Sequence, residues 1–183
     1  QEGVEAYLSS GDGQLFLRTN QGAPNFQLLT SLWTDARVQW TPCIPGDLSV
    51  YMEEALVLEK HIVLAERSGC LQRFRVVPRS GSEEPWLVDF DDPAYALTSG
   101  PNLAYDATVF RYGYATPRTP STVFDVDLNT RARTKIKQTA VLGGFDADKY
   151  VVHRAFATAP DGTQVPITLC CLKGTPQDGT APG

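Results

Sequence analysis

Apolar and polar residues alternate along most of this chain with a period of two, and the alternating runs arrive in sets of four. In 122–128, Thr122, Phe124, Val126 and Leu128 share one face while Asp125 and Asp127 share the other. In 109–114 the aromatic residues Phe110, Tyr112 and Tyr114 line up together. Period-two alternation is the mark of strands that bury one face. No stretch sustains a 3.6-residue period, and 53–60, which has the composition of a short helix, is kept as part of a strand. The first set of strands is 4–10, 15–19, 26–30 and 37–41. The second is 49–58, 62–67, 71–77 and 86–90, and the third is 95–103, 109–114, 122–128 and 134–139.

The sets are spaced regularly. Leu15 to Ile62 and Ile62 to Val109 are each 47 positions, and Arg37 to Trp86 to Thr134 are 49 and 48. Four short strands repeated every roughly 45–50 residues predict β-propeller blades. The separators agree: Gly11-Asp12-Gly13, Ser68-Gly69 and the run from Thr116 to Pro120 are turn formers. Three blades are fewer than the typical 4–8 of a closed propeller. The expectation is that further blades precede Gln1, and that the outer faces of the first and last blades here are unpaired and apolar.

The rhythm breaks at 141–174. Gly143-Gly144-Phe145-Asp146-Ala147-Asp148 joins two glycines to two turn-forming aspartates and reads as a linker. A hairpin then follows: 153–159 alternates, Pro160-Asp161-Gly162 supplies the turn, and Val165, Ile167, Leu169 and Cys171 line one face of the return strand. Pro166 cannot donate to a ladder, which predicts an edge strand or a bulge. The fold class expected is therefore all-β, with about three propeller blades over 1–140, a linker or hinge over 141–150, and a hairpin with a loose tail over 151–183. The hinge candidates are Gly143, Gly144 and Asp146.

Composition narrows the function. Sixteen basic against 21 acidic residues give a net charge of −5, which argues against a nucleic-acid partner. No apolar run approaches the ~20 residues that cross a bilayer. A signal peptide and an Asn-x-Ser/Thr acceptor are both lacking, so the compartment expected is cytoplasmic. The first residue is Gln1 and the single methionine is Met52, the pattern expected of a processed chain or a piece of a longer one. Cys43, Cys70, Cys170 and Cys171 include no Cys-x-x-Cys spacing and are expected as reduced thiols, three or more of them partly buried.

The candidate chemistry is sparse. Gly11-Asp12-Gly13 is read as a hairpin turn rather than a dinucleotide loop, because no helix follows. Arg131, Arg133, Lys135 and Lys137 form a basic stripe at period two, expected on the solvated face of an outer strand. Glu83, Glu84, Asp89, Asp91 and Asp92 are expected to surround a strand end. His61 and His153 are placed at strand edges beside charges. No Gly-x-Ser-x-Gly elbow or His-Glu-x-x-His helix is present. No metal, cofactor or catalytic residue is assigned.

More specific runs then stand out: Phe90-Asp91-Asp92-Pro93-Ala94-Tyr95, Arg111-Tyr112-Gly113-Tyr114, Thr119-Pro120, 123–128, Lys137-Gln138 and 141–146. These resemble the last propeller blade of oligopeptidase B, in the prolyl oligopeptidase superfamily. The run 156–167 is similar to the hairpin that opens that family's catalytic domain. The resemblance thins toward Phe16-x-Arg18-Thr19-Asn20 and Asn25-Phe26 but covers nearly the whole chain. It implies a two-domain serine peptidase in which a seven-bladed propeller caps an α/β-hydrolase domain and short peptides are cut after Arg or Lys. The partners it implies are those peptides and a catalytic domain in cis. Its Ser, Asp and His match no position here. His153 stands where the family pattern leads one to expect an acidic residue. Two alternatives stay open beside this reading: a propeller used as a binding scaffold, and a post-proline peptidase of the same superfamily.

Overall fold

The structure, a computed structural model, describes residues 3–33 and 38–181. Three four-stranded antiparallel sheets follow one another. The first is β1 (Ala6–Gly11), β2 (Gln14–Thr19), β3 (Gln27–Leu32) and β4 (Thr41–Ile44). The second is β5 (Val50–Val57), β6 (His61–Ser68), β7 (Leu71–Pro78) and β8 (Trp86–Leu87). The third is β9 (Ala96–Ser99), β10 (Val109–Thr116), β11 (Thr119–Asp127) and β12 (Arg133–Gln138). Each sheet is a simple up-and-down meander, the form of a propeller blade. A 3-10 turn, Ala147–Lys149, leads into a two-stranded sheet of β13 (Tyr150–Thr158) and β14 (Gln164–Leu172).

Turn chemistry explains the meanders. Asp12 and Gly13 close β1 onto β2 with φ of 54° and 69°, the pair of positive values that a two-residue type I′ hairpin requires. Gly69 and Cys70 do the same between β6 and β7, with Cys70 taking a φ of 63° that side chains rarely adopt.

The blades stack face to face through two cores. Phe16, Leu28 and Ile44 of the first blade meet Met52, Ile62 and Leu64 of the second. Phe74 and Val76 of the second blade meet Leu97, Phe110, Tyr112 and Tyr114 of the third. The Phe74 ring meets Phe110 edge-on at 4.9 Å. Burying each such ring contributes roughly 2–3 kcal/mol. The aligned aromatic face of 109–114 is thus the seam between the middle and last blades.

Several expectations are corrected. The fourth strand of the first blade is Thr41–Ile44 rather than 37–41, and residue 37 lies outside the described residues. The run 86–90 is a strand only over Trp86–Leu87, and 95–103 only over Ala96–Ser99, where Gly100 and Pro101 end the ladder. The first blade's outer face is apolar and open as expected: Leu8, paired with Leu17, is 64% exposed. The last blade's outer face is not apolar. Arg111 there grips Asp125 through two hydrogen bonds of 2.7 and 2.8 Å. The basic stripe is also broken. A bulge pairs Val123 with Lys137 but Phe124 with Lys135, so Lys137 falls on the face opposite Arg133 and Lys135. Only Cys43 and Cys171 are half-buried, while Cys70 and Cys170 are exposed, because turn and hairpin leave them uncovered. His61 stands at a strand end as expected, opening β6, and is buried there at 6% exposure.

Pro166 lies on β14, which has a partner on one side only, as its missing N–H demands. Val165, Ile167 and Leu169 share one face of that hairpin, and all three are exposed. No helix among the described residues is long and apolar enough to cross a membrane.

Candidate functional site

The junction between the last blade and the hairpin is where chain geometry and charge converge. Gly143 and Gly144 take φ of 92° and 80°, which glycine adopts without strain. A Cβ at either would meet nothing within 4 Å, so backbone conformation rather than crowding selects glycine there. Asp146 caps the 3-10 turn, its carboxylate accepting from the Asp148 N–H at 3.0 Å. The Phe145 ring stacks on Tyr150 at 5.7 Å and 20°. The Lys173 N–H donates to the Lys149 carbonyl at 2.8 Å, closing the hairpin base.

Beyond this segment the hairpin leans on the turns at one end of the blades. Arg154 donates to the Gly69 carbonyl in the β6–β7 turn, and its guanidinium lies 5.2 Å from the Phe156 ring centroid. A cleft of about 400 Å³ separates hairpin from blades, lined by Cys70, Leu71, Tyr95, Pro117, Arg154 and Pro166. His153 contacts Gln177 at 3.2 Å.

Behind the β10–β11 turn, Arg118 donates to the buried Asp92 carboxylate at 2.8 Å. Burial, with Asp92 close by, pushes the Tyr114 hydroxyl up to about 12. Asp91 goes to Arg133 at 2.7 Å, so the Asp91 and Asp92 carboxylates are both spent on arginines of the last blade. Arg111 holds the Asp125 carboxyl below its usual range. The sequence reading missed Arg118 and Arg154. A single arginine in a turn or a strand has no periodic signal, and its partner is set only by how the elements pack.

Residues 1–139 match the prolyl oligopeptidase N-terminal β-propeller domain. The chain belongs to that family. Dipeptidyl aminopeptidase BI of Pseudoxanthomonas mexicana is 35% identical over 170 residues, which is 91% of this chain and 23% of that protein. Oligopeptidase B from Trypanosoma brucei, solved in a closed form with covalently bound antipain, superimposes with a TM-score of 0.84 at 29% identity. Oligopeptidase B from Leishmania major does so at 0.80 and 30%. Both structures cover 97% of this chain, which spans 26% of theirs. The chain therefore corresponds to about a quarter of the length of these relatives. The resemblance to oligopeptidase B read from 90–167 is reproduced by the fold.

Proposed function

We propose that this chain is the propeller end and interdomain segment of a serine-type oligopeptidase resembling oligopeptidase B. In the full-length protein it gates short peptides that are cleaved after Arg or Lys. Residues 1–140 supply the gate, 141–150 the hinge and 151–183 the hairpin from which an α/β-hydrolase domain continues. Gly143, Gly144 and Asp146 are the hinge residues, and the nucleophile, base and acid come from another part of the full-length protein. Two glycines in positive-φ conformations make large backbone rotations inexpensive, which suits a hinge.

One observation carries the reading. Similarity to oligopeptidase B extends past the propeller match at residue 139 to cover 97% of the chain, hairpin included. The full-length protein, assayed with matched chromogenic peptides ending in Arg, Lys or Pro, is expected to release product after Arg and Lys. A serine-directed covalent inhibitor is expected to abolish it. Cleavage after Pro alone, or none at all, overturns the assignment. A second reading, release of dipeptides from peptide N-termini, is favoured by the 35% identity to a dipeptidyl aminopeptidase. Blocking the substrate's N-terminus distinguishes the two, since only dipeptide release needs a free amine.

A further inference from the structure

A second cleft, of about 700 Å³, opens between the first and middle blades at the end where β6 begins and β7 stops. It shares no lining residue with the cleft beside the hairpin. Its floor is the end of the interblade core: Phe16 of β2, Ile44 of β4, Ile62 of β6 and Val77 of β7. One aromatic ring is thus set among three aliphatic side chains. His61 opens β6 opposite Pro78, and its imidazole lines the same cleft. The His61 Nδ1 is shut away from solvent and has no hydrogen-bond partner among the described residues. Buried polar atoms are nearly always paired, and one left unmatched is costly, so this nitrogen calls for a partner.

The charges on the wall cancel, with Glu59 and Glu83 set against Lys60 and Arg79. Arg79 is moreover committed already. One of its terminal nitrogens donates to the Tyr105 hydroxyl at 2.8 Å and to the Leu58 and Glu59 carbonyls at 3.0 and 2.9 Å. The other donates to the Gln14 side-chain oxygen at 2.7 Å. Both ends of the guanidinium fork are taken, so an anion gains little from it. Burial lowers the pKa of His61 and outweighs the opposing pull of Glu83 and Asp127, which keeps the imidazole uncharged at neutral pH. Burial likewise raises the half-buried Cys43 thiol, against the pull of Arg79. The buried polar groups of the wall are therefore neutral, and they stand over an apolar floor. A cleft of this size and mixed lining is in the range of small-molecule sites.

We propose that this cleft binds an uncharged aromatic alcohol, with its ring on Phe16 and the aliphatic floor and its hydroxyl donating to the His61 imidazole. Burying the ring supplies the attraction, and the hydroxyl supplies the partner that His61 lacks. A carboxylate or ammonium head would shed its hydration against a wall whose charges already cancel. The site is independent of the peptidase reading.

The test uses the full-length protein and three probes read by fluorine NMR: para-fluorophenol, para-fluorobenzoate and para-fluorobenzylamine. The phenol is expected to bind with a dissociation constant of about 1 mM, and the two charged analogues about tenfold more weakly. His61→Leu is expected to weaken phenol binding about tenfold, the effect of losing one buried hydrogen bond. Cys43 lines the cleft and Cys70 does not, so the two thiols report on the place of binding. Saturating phenol is expected to slow alkylation of Cys43 by iodoacetamide about threefold or more, read by mass spectrometry, and to leave Cys70 unchanged. This measurement is made on the unaltered protein and decides the site even where His61→Leu fails to fold. No phenol binding, or binding without protection of Cys43, overturns the site. Equal or tighter binding of either charged analogue overturns the ligand class. Undiminished binding to a folded His61→Leu variant overturns the role of the imidazole.

Discussion

Arg75 reaches across from β7 to the carboxylate of Glu66 on β6, its Nε donating at 2.9 Å to a side chain that is 1% exposed. Arg73, two residues along the same strand, takes the other carboxylate oxygen at 2.9 Å. Two arginines on one face of β7 thus satisfy both oxygens of a buried acid between the first and middle blades. Removing one member of a buried pair leaves the rest uncompensated, at a cost of about 3–5 kcal/mol. The arginines are partly solvated, so the lower end applies. Glu66→Gln in the full-length protein is expected to lose about 3 kcal/mol of propeller stability by urea unfolding. A loss under about 1 kcal/mol means that solvent screens the pair as it does surface pairs.

Gly46 makes room rather than bending the chain. A Cβ there would lie 2.7 Å from the Ala23 methyl and 3.0 Å from the Phe26 carbonyl. Gly46→Ala is expected to destabilise by about 2 kcal/mol through overpacking. Adding Ala23→Gly removes the nearer clash, so the double variant is expected to recover part of that loss. Additive losses mean that the contact with Ala23 is not the cause.

How much of this was legible beforehand follows from what each residue answers to. The alternation of 122–128 was readable because a half-buried strand must put Phe124 and Val126 on one side whatever its neighbours. Thr41–Ile44 was not, since Pro42 and Cys43 carry no alternation and Ile44 is its one buried residue. The polar outer face of the last blade needed the register that sets Arg111 opposite Asp125. The bulge at Val123/Phe124 hid the true faces of Arg133 and Lys137, because it shifts parity without changing composition. The Gln14–Arg79–Tyr105 cluster joins residues 65 and 26 positions apart, and no periodic element holds them together. Arg118 and Arg154 at the junction gave no such signal, because their partners Asp92 and Gly69 are set by how the elements pack.

His61 predicts an acid sensitivity. It is 6% exposed, its Nδ1 has no hydrogen-bond partner among the described residues, and burial lowers its pKa from the usual 6.5. Glu83 and Asp127 pull the other way and Lys60 adds to the lowering, but burial dominates. The folded state therefore binds fewer protons than the unfolded chain between the depressed pKa and 6.5. Stability is full above pH 6.5 and falls as the pH drops through the depressed value. The thermal midpoint is expected to fall between pH 7 and 5, and the His61→Gln variant to flatten that slope. An unchanged slope in the variant assigns the acid sensitivity to carboxylates instead.

The hinge reading makes a kinetic prediction that a static linker would not. A Cβ on Gly143 or Gly144 meets nothing within 4 Å among the described residues, so Gly143→Ala/Gly144→Ala introduces strain but no clash. Holding two non-glycine residues at positive φ costs about 1 kcal/mol each, and the cheapest relief is rotation of the backbone toward negative φ. That rotation swings everything after residue 144 relative to the last blade, against the stack of Phe145 on Tyr150 and the bond from Arg154 to Gly69. If opening between propeller and catalytic domain limits turnover, kcat and KM of the full-length protein change together. The expectation is a shift of about threefold or more in both, with propeller unfolding in urea unchanged. Cys70 lies in the cleft between hairpin and blades, so its rate of alkylation reports the same opening independently of activity. Altered alkylation with altered kinetics supports the hinge. Unaltered alkylation and kinetics in the double variant mean that 143–146 is a passive connector and that any domain motion pivots elsewhere.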